Sequence, residues 1–167
     1  MSEKKYYTDE KNVQILIALL KAHGIKKAIV SPGSANSPLV ASLQYDLYFQ
    51  CFSCVDERSA AYMACGLAAD SETPVLLSCT GATASRNYLP GMTEAFYRKL
   101  PIIAVTSTHP IHWVGHHVAQ VIDRSNQPND TYSLSVTLPV IKDARDQEEC
   151  GIKVNNALLQ IYRAAGG

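Results

Sequence analysis

The segment "SCVDERSAAYMACGLAAD", residues 53–70, runs from an apolar stretch straight into Asp56, Glu57 and Arg58, then into Ala, Cys and Gly. A carboxylate at such a join has two uses. It can sit in the first turn of a helix, where unpaired N–H groups favour an acid. It can also be held in an apolar crevice that raises its pKa, so that it shares a proton near neutral pH. Glu57 is the residue on which the two readings divide. The other reactive groups are His109, His112, His116 and His117 in the polar stretch 108–133, and the pair Cys51-x-x-Cys54.

Spacing argues against several common chemistries. His112 and His116 would share a helix face, but the H-E-x-x-H context is missing and no carboxylate follows until Asp123. A loop of solvent-facing or substrate-facing histidines fits better than a metal site. Cys51 and Cys54 lie in "YFQCFSCVDE", which reads as a strand, whereas redox pairs of this spacing open a helix. Pro32-Gly33-Ser34 carries one glycine where a dinucleotide fingerprint needs G-x-G-x-x-G. Neither a G-x-x-x-x-G-K-[ST] phosphate loop nor a G-x-S-x-G nucleophile elbow occurs.

The elements that must position these groups follow from periodicity. Val13, Leu16, Ile17 and Leu20 share one helical face, which predicts a helix over about 9–23, capped by Thr8 and ended by Gly24. "KKAIVS" reads as a buried strand, and Ser37-Pro38 opens a helix over about 38–46. Strands follow at about 48–55, 73–79 and 100–107, with helices at about 57–69 and from the Thr80–Asn87 loop to about 98. "SLSVTLPV" predicts a further strand, and Asp146 with Glu149 a capping box that starts a final helix. Short buried strands alternating with helices imply a single three-layer α/β domain over 1–167, with a mainly parallel, doubly wound sheet and helices on both faces. Such sheets bind ligands at the carboxyl ends of their strands. The loops Ser31–Asn36, Asp56–Arg58, Thr80–Asn87 and Ser107–Gln120 therefore belong to one edge.

Composition narrows the class. Fifteen basic and fifteen acidic residues give a formal charge of zero, so no long-range field draws nucleic acid or an anionic membrane. No apolar run reaches transmembrane length and the polar N-terminal stretch has no signal-peptide core, so the expected location is the cytoplasm. Five cysteines, an odd number set mostly in apolar segments, fit reduced thiols.

"VDERSAAYMACGLA" followed by "LSCTGATASRNYLPGMTEAFYRKLPIIAVTSTHP" resembles the pyrimidine-binding (Pyr) domain of thiamine-diphosphate enzymes. The shared pattern is a strand, a Glu, an Ala-rich helix, then T-S/G-G-x-x-x-x-N and E-A-x-x-x-x-x-P. Here these are Glu57, Ala60, Ala61, Gly66, Thr80, Gly81, Asn87, Glu94, Ala95 and Pro101. Within that group, "IVSPGSANSPLVASL" resembles the P-G-S-R-S-x-P-L loop of the menaquinone-pathway synthases that make 2-succinyl-5-enolpyruvyl-6-hydroxy-3-cyclohexene-1-carboxylate.

The resemblance implies thiamine diphosphate as cofactor and a 2-oxo acid as substrate. It implies that Glu57 hydrogen-bonds the aminopyrimidine and promotes the tautomer that deprotonates the thiazolium carbon. Thr80, Gly81 and Asn87 would shape the cofactor crevice, and Ala60, Ala61 and Ala64 would let a ring or partner surface approach closely. Pro32, Gly33, Ser34, Ala35, Asn36, His116, His117 and Gln120 are substrate-side candidates. The His pair resembles one in pyruvate decarboxylases, and Gln120 falls in a loop where the synthases end in I-D-Q. The G-D-G motif of the diphosphate-binding domain is missing, and Asn155-Asn156 reads as solvated helix surface. Mg2+ is thus expected only through that other domain, which would lie in the same full-length chain or a partner subunit, and a homodimer or higher oligomer is expected. On this reading the chain is inactive alone, and Gly166-Gly167 favours a cut from a longer enzyme. Ala35 stands where the synthases place an Arg, and an Ala cannot make that bidentate carboxylate contact. Two alternatives remain: a small subunit of a two-subunit 2-oxo acid decarboxylase, and a non-catalytic binding domain of the same fold.

Overall fold

Side chains alternate across a β-strand, and here that alternation divides the core into two layers. The computed structural model, which describes residues 7–124 and 126–165, contains four parallel strands in the order β2-β1-β3-β4. These are β1 (Lys27–Val30), β2 (Gln50–Ser53), β3 (Val75–Cys79) and β4 (Ile102–Thr106). The helices are α1 (Lys11–Ala22), α2 (Ser37–Tyr45), α3 (Glu57–Ser71), α4 (Thr83–Asn87), α5 (Leu89–Tyr97) and α6 (Ala144–Ala165). Ala28, Val30, Leu76, Ile103 and Val105 pack with α1, α2 and α6 through Leu16, Leu20, Leu43, Val154 and Leu158. Ile29, Val75, Leu77, Cys79, Ile102 and Ala104 pack on the other face with Ala60, Ala61, Ala64, Tyr88 and Met92. The chain forms the expected three-layer α/β architecture.

β3 is buried along its whole length, as a central strand covered on both faces must be. β2 is an edge strand and mostly exposed. All five cysteines are free thiols. Cys54 donates to the Asp56 carbonyl at 3.3 Å, and burial raises the thiol pKa of Cys51, Cys65 and Cys150.

Several local expectations shift. The helix predicted to reach residue 98 breaks at Tyr88 into α4 and α5, because Pro90 has no N–H to give the preceding turn. "SLSVTLPV" forms no strand. Its carbonyls are taken by side chains, Asn12 donating to Pro139 at 3.1 Å and Lys153 to Thr137 at 3.2 Å. Leu138 and Ile141 lie against the α1/α6 core instead. The final helix starts three residues earlier than expected. Asp143 is its cap, accepting from the Arg145 and Asp146 N–H groups at 2.9 and 3.0 Å, while Asp146 reaches back to the Lys142 N–H at 2.9 Å. Thr8 does not cap α1; its hydroxyl accepts from the Glu10 N–H at 3.1 Å, and Glu10 holds the cap position without a side-chain bond. Asn155 is not solvated surface, since its side chain pairs with His23 at 2.9 Å and ties α6 to the end of α1.

Asp46, just beyond α2, accepts from Tyr7 and from Lys21 at 2.7 Å. Desolvation opposes its ionisation, but hydrogen bonds from Lys21, Tyr7 and the Tyr48 N–H outweigh it and lower its pKa from 3.8 to about 2. A depressed carboxylate pKa gives stability that is present above the unfolded value and lost as pH falls through the folded one. Asp46→Asn should therefore destabilise the protein at pH 6 and converge with the parent as pH falls from about 4 to about 2. Urea midpoints measured across that window check this; parallel curves would contradict it.

Candidate functional site

The chain leaves β1 toward β2 on one side and returns to β3 on the other. Loops after β1 and β3 therefore part at their carboxyl ends and open a crevice. Its floor is set by close approach. A Cβ on Gly33 would lie 2.2 Å from Thr80 Cγ2, and one on Gly81 would lie 2.5 Å from the Ser107 carbonyl oxygen. Glycine at both positions lets the three loops touch. Ala82, buried beside Gly81, is held at φ 56°, ψ −128°, a conformation costly for a residue with a Cβ.

Asn36 locks the first loop. It is 3% exposed, accepts from the Gly33 N–H at 2.9 Å, and donates to the Ser31 carbonyl at 3.1 Å and the Ser78 hydroxyl at 3.3 Å. Its side chain is thus spent on the loop itself, while Pro32, Ser34 and Ala35 are exposed around it. Asn87 closes α4, half-buried, and makes no side-chain hydrogen bond to a described residue.

Glu57 is the first residue of α3, but it is not the cap. Asp56 takes that role, its carboxylate accepting from the Ser59 N–H at 2.7 Å. Those bonds hold the Asp56 carboxyl below the usual range. The Glu57 carboxylate is half-buried and makes no hydrogen bond to a described residue. Its charge reaches Cys79 and Tyr88, whose titrations it raises. The dry wall expected around it is incomplete in this chain. Phe52, Val55, Tyr62 and Met63 are all exposed on the β2–α3 segment, Val55 at 85%. The small face of α3 also points elsewhere than expected: Ala60, Ala61 and Ala64 are fully buried against the sheet layer, so no outside ring or partner reaches them.

Three buried hydroxyls lie on the elements that frame the crevice. Tyr88 Oη, Ser31 Oγ and Ser107 Oγ are enclosed without a hydrogen-bond partner of good geometry among the described residues. Burial pushes the Cys79 thiol up to about 11 and raises Tyr88 far above its ordinary value.

The long loop after β4 supplies the other wall. A groove of about 1030 Å³ is lined there by Ala35, Asn36, Gly81, Gln120 and Arg124 among others, and His109 joins them. Gln120 lines the groove. His116 and His117 are exposed and do not line it. Among the described residues no group of three His, Cys, Asp or Glu could hold a metal ion. Arg124, not singled out in the sequence, lines the crevice, and so does His109. His109 stacks on Trp113, with ring centroids 5.6 Å apart.

The comparisons with known proteins fall on the same residues. A family model described as the thiamine pyrophosphate enzyme N-terminal TPP binding domain matches residues 11–127. The chain belongs to this family. The TPP binding domain is 38% identical over 154 residues to a 2-succinyl-5-enolpyruvyl-6-hydroxy-3-cyclohexene-1-carboxylate synthase of Bacteroides thetaiotaomicron, covering 92% of this chain and 28% of that protein. The synthase of Porphyromonas gingivalis is 43% identical over 116 residues, covering 70% and 20%. This domain therefore spans less than a third of the length of these relatives. Among solved structures, a thiamine diphosphate-dependent 4-hydroxybenzoylformate decarboxylase from Rhodococcus jostii superposes with a TM-score of 0.61 at 19% identity, over 68% of this chain and 21% of that one. The benzoylformate decarboxylase of Polynucleobacter necessarius gives 0.58 at 17% identity, covering 70% and 21%. At that identity the likeness speaks for the fold.

The hydrogen bonds of Asn36 make its loop a structural part of this TPP binding domain. Asn36→Ala strands a part-buried N–H and two buried oxygens, and should cost about 2–4 kcal/mol of unfolding free energy. Ser34→Ala, at an exposed neighbour, should stay within about 0.5 kcal/mol. Urea unfolding of both variants checks the contrast; equal effects would contradict it.

Proposed function

We propose that this chain is the pyrimidine-side half of a thiamine-diphosphate enzyme that acts on 2-oxo acids, with Glu57 as the activating carboxylate. The observation that carries the reading is the division of labour at the start of α3. Asp56 satisfies the helix end, so the neighbouring half-buried Glu57 has its hydrogen-bonding capacity unspent. A carboxylate with that capacity suits a ring nitrogen of an aminopyrimidine. The polar groups around the crevice suit that end of the cofactor. Thiamine diphosphate, when bound, would supply carbon-nucleophile chemistry toward a carbonyl.

Each residue of the chain then has a task. Glu57 would hold or return a proton at its carboxylate, facing the pyrimidine end of the cofactor. Thr80, Gly81 and Asn87 shape the crevice, and Gln120 faces the substrate side. Residues 1–167 act as one domain. The diphosphate and its Mg2+ are held by a second domain, in the same longer chain or in a partner. The exposed Phe52, Val55, Tyr62 and Met63 next to Glu57 support a closed site only when such a partner covers them, most simply in a homodimer. No helix among the described residues is long and apolar enough to cross a membrane, and a cytoplasmic location fits that. Similarity to the synthases favours the menaquinone-pathway reaction.

The test is 2-oxo acid turnover by the chain joined to its diphosphate-binding half, in cis or in trans. Glu57→Gln should lower the thiamine-diphosphate-dependent rate by roughly 10²–10⁴-fold, the range of one acid–base group. Its unfolding free energy should change by less than about 0.5 kcal/mol, because the helix end belongs to Asp56. Undiminished turnover would sink the assignment.

A further inference from the structure

Arg124 is a half-buried cation with no carboxylate in ion-pair distance among the described residues. Nη1 donates to the Thr106 hydroxyl at 2.6 Å and Nη2 to the Ser107 carbonyl at 3.2 Å, both neutral oxygens at the carboxyl end of β4. Nη2 also stands 3.6 Å from the point where a Cβ on Gly81 would be, so the guanidinium lies over the glycine floor of the crevice. Burial opposes its charge and the nearby Arg86 adds a second positive group; both lower its pKa, although arginine stays protonated. A desolvated cation of this kind is costly unless an anion meets it.

Ala35 lines the same groove as Arg124. The loop after β1 therefore brings no charge to this crevice, and the loop after β4 does. A guanidinium carries more N–H donors than Thr106 and Ser107 use, in a planar fork that matches a carboxylate. The two contacts fix the plane of the fork in advance, which reduces the ordering cost of binding.

We propose that Arg124 binds the carboxylate of the 2-oxo acid substrate, the contact that Ala35 cannot make. The proposal rests on the reading of the substrate as a 2-oxo acid, but its test requires no cofactor. Pyruvate is titrated into this chain, with methyl pyruvate as the uncharged control, and followed by NMR of the backbone amides and arginine side chains. Saturable shifts at Arg124, Gly81 and Ser107 with pyruvate, and none with the ester, are expected. Arg124→Gln should weaken binding by roughly 10–100-fold, the effect of one charge-assisted hydrogen-bonded contact. Arg124→Lys, which keeps the charge and loses the fork, should fall between. An arginine that merely pins the loop would lower the melting temperature on substitution and leave pyruvate binding intact in the folded variant.

Each outcome decides something. No saturable binding to the parent, or unchanged binding in Arg124→Gln, overturns the proposal. If Arg124→Gln does not fold, Arg124→Lys decides, and binding as tight as the parent's overturns it. Pyruvate binding through Arg124 without cofactor-dependent turnover in the completed enzyme would instead defeat the Glu57 reading and leave this site standing.

Discussion

The site depends on two missing Cβ atoms. Gly33 rests on Thr80, and Gly81 on the Ser107 carbonyl, at separations that any side chain would forbid. Those contacts draw the loops after β1, β3 and β4 into one floor at the carboxyl edge of the sheet. Everything with chemical potential is then placed relative to it. Asn36 braces one wall from within, Arg124 lies across Gly81 from the other, and Ala82 carries the backbone strain of the turn between them. A sheet covered on both faces supplies the rigidity, because β3 is buried from end to end.

Glu57 sits at the side of this floor rather than inside the large groove. Its separation from Asp56 matters most. Adjacent acids at a helix start would ordinarily be interchangeable in their attraction to the helix end. Here one is committed to the Ser59 N–H and the other is not. The apolar residues that would exclude water from Glu57 lie on the same chain, at Phe52, Val55, Tyr62 and Met63, but face outward. A proton-sharing carboxylate thus needs a second surface to close over it. Arg124 is likewise half-buried, and among the described residues no carboxylate lies within ion-pair distance of it.

Much of this was legible in the residues. The apolar runs read at 26–31, about 48–55, 73–79 and about 100–107 placed four loops on one edge, and four parallel strands end there. Glu57 stood out as a carboxylate where an apolar run meets a small-residue helix, and Gly81 through the resemblance to the Pyr-domain pattern. The rest depends on contacts distant in sequence. "SLSVTLPV" alternates like a strand, yet Asn12 of α1 and Lys153 of α6 take the Pro139 and Thr137 carbonyls, so it packs as a strap. The small residues of α3 gave no sign of which side they would face; burial against Leu77 and Met92 decided it. Arg124 sits in an irregular polar stretch where an arginine reads as solvated surface. Only the return of that stretch onto Thr106 and Ser107 turns it into a crevice residue. His116 and His117 drew notice by their pairing, but no helix forms there and both remain in solvent.

The central claim is that the Glu57 carboxylate activates a cofactor bound across this domain and a second one. The most direct measurement is the rate of hydrogen–deuterium exchange at the thiazolium carbon of thiamine diphosphate, followed by quenched-flow NMR with no substrate present. With this chain and its diphosphate-binding half assembled, exchange should be accelerated far beyond that of the free cofactor, and Glu57→Gln should return it close to the free rate. Exchange that stays fast in the Glu57→Gln assembly would contradict the account.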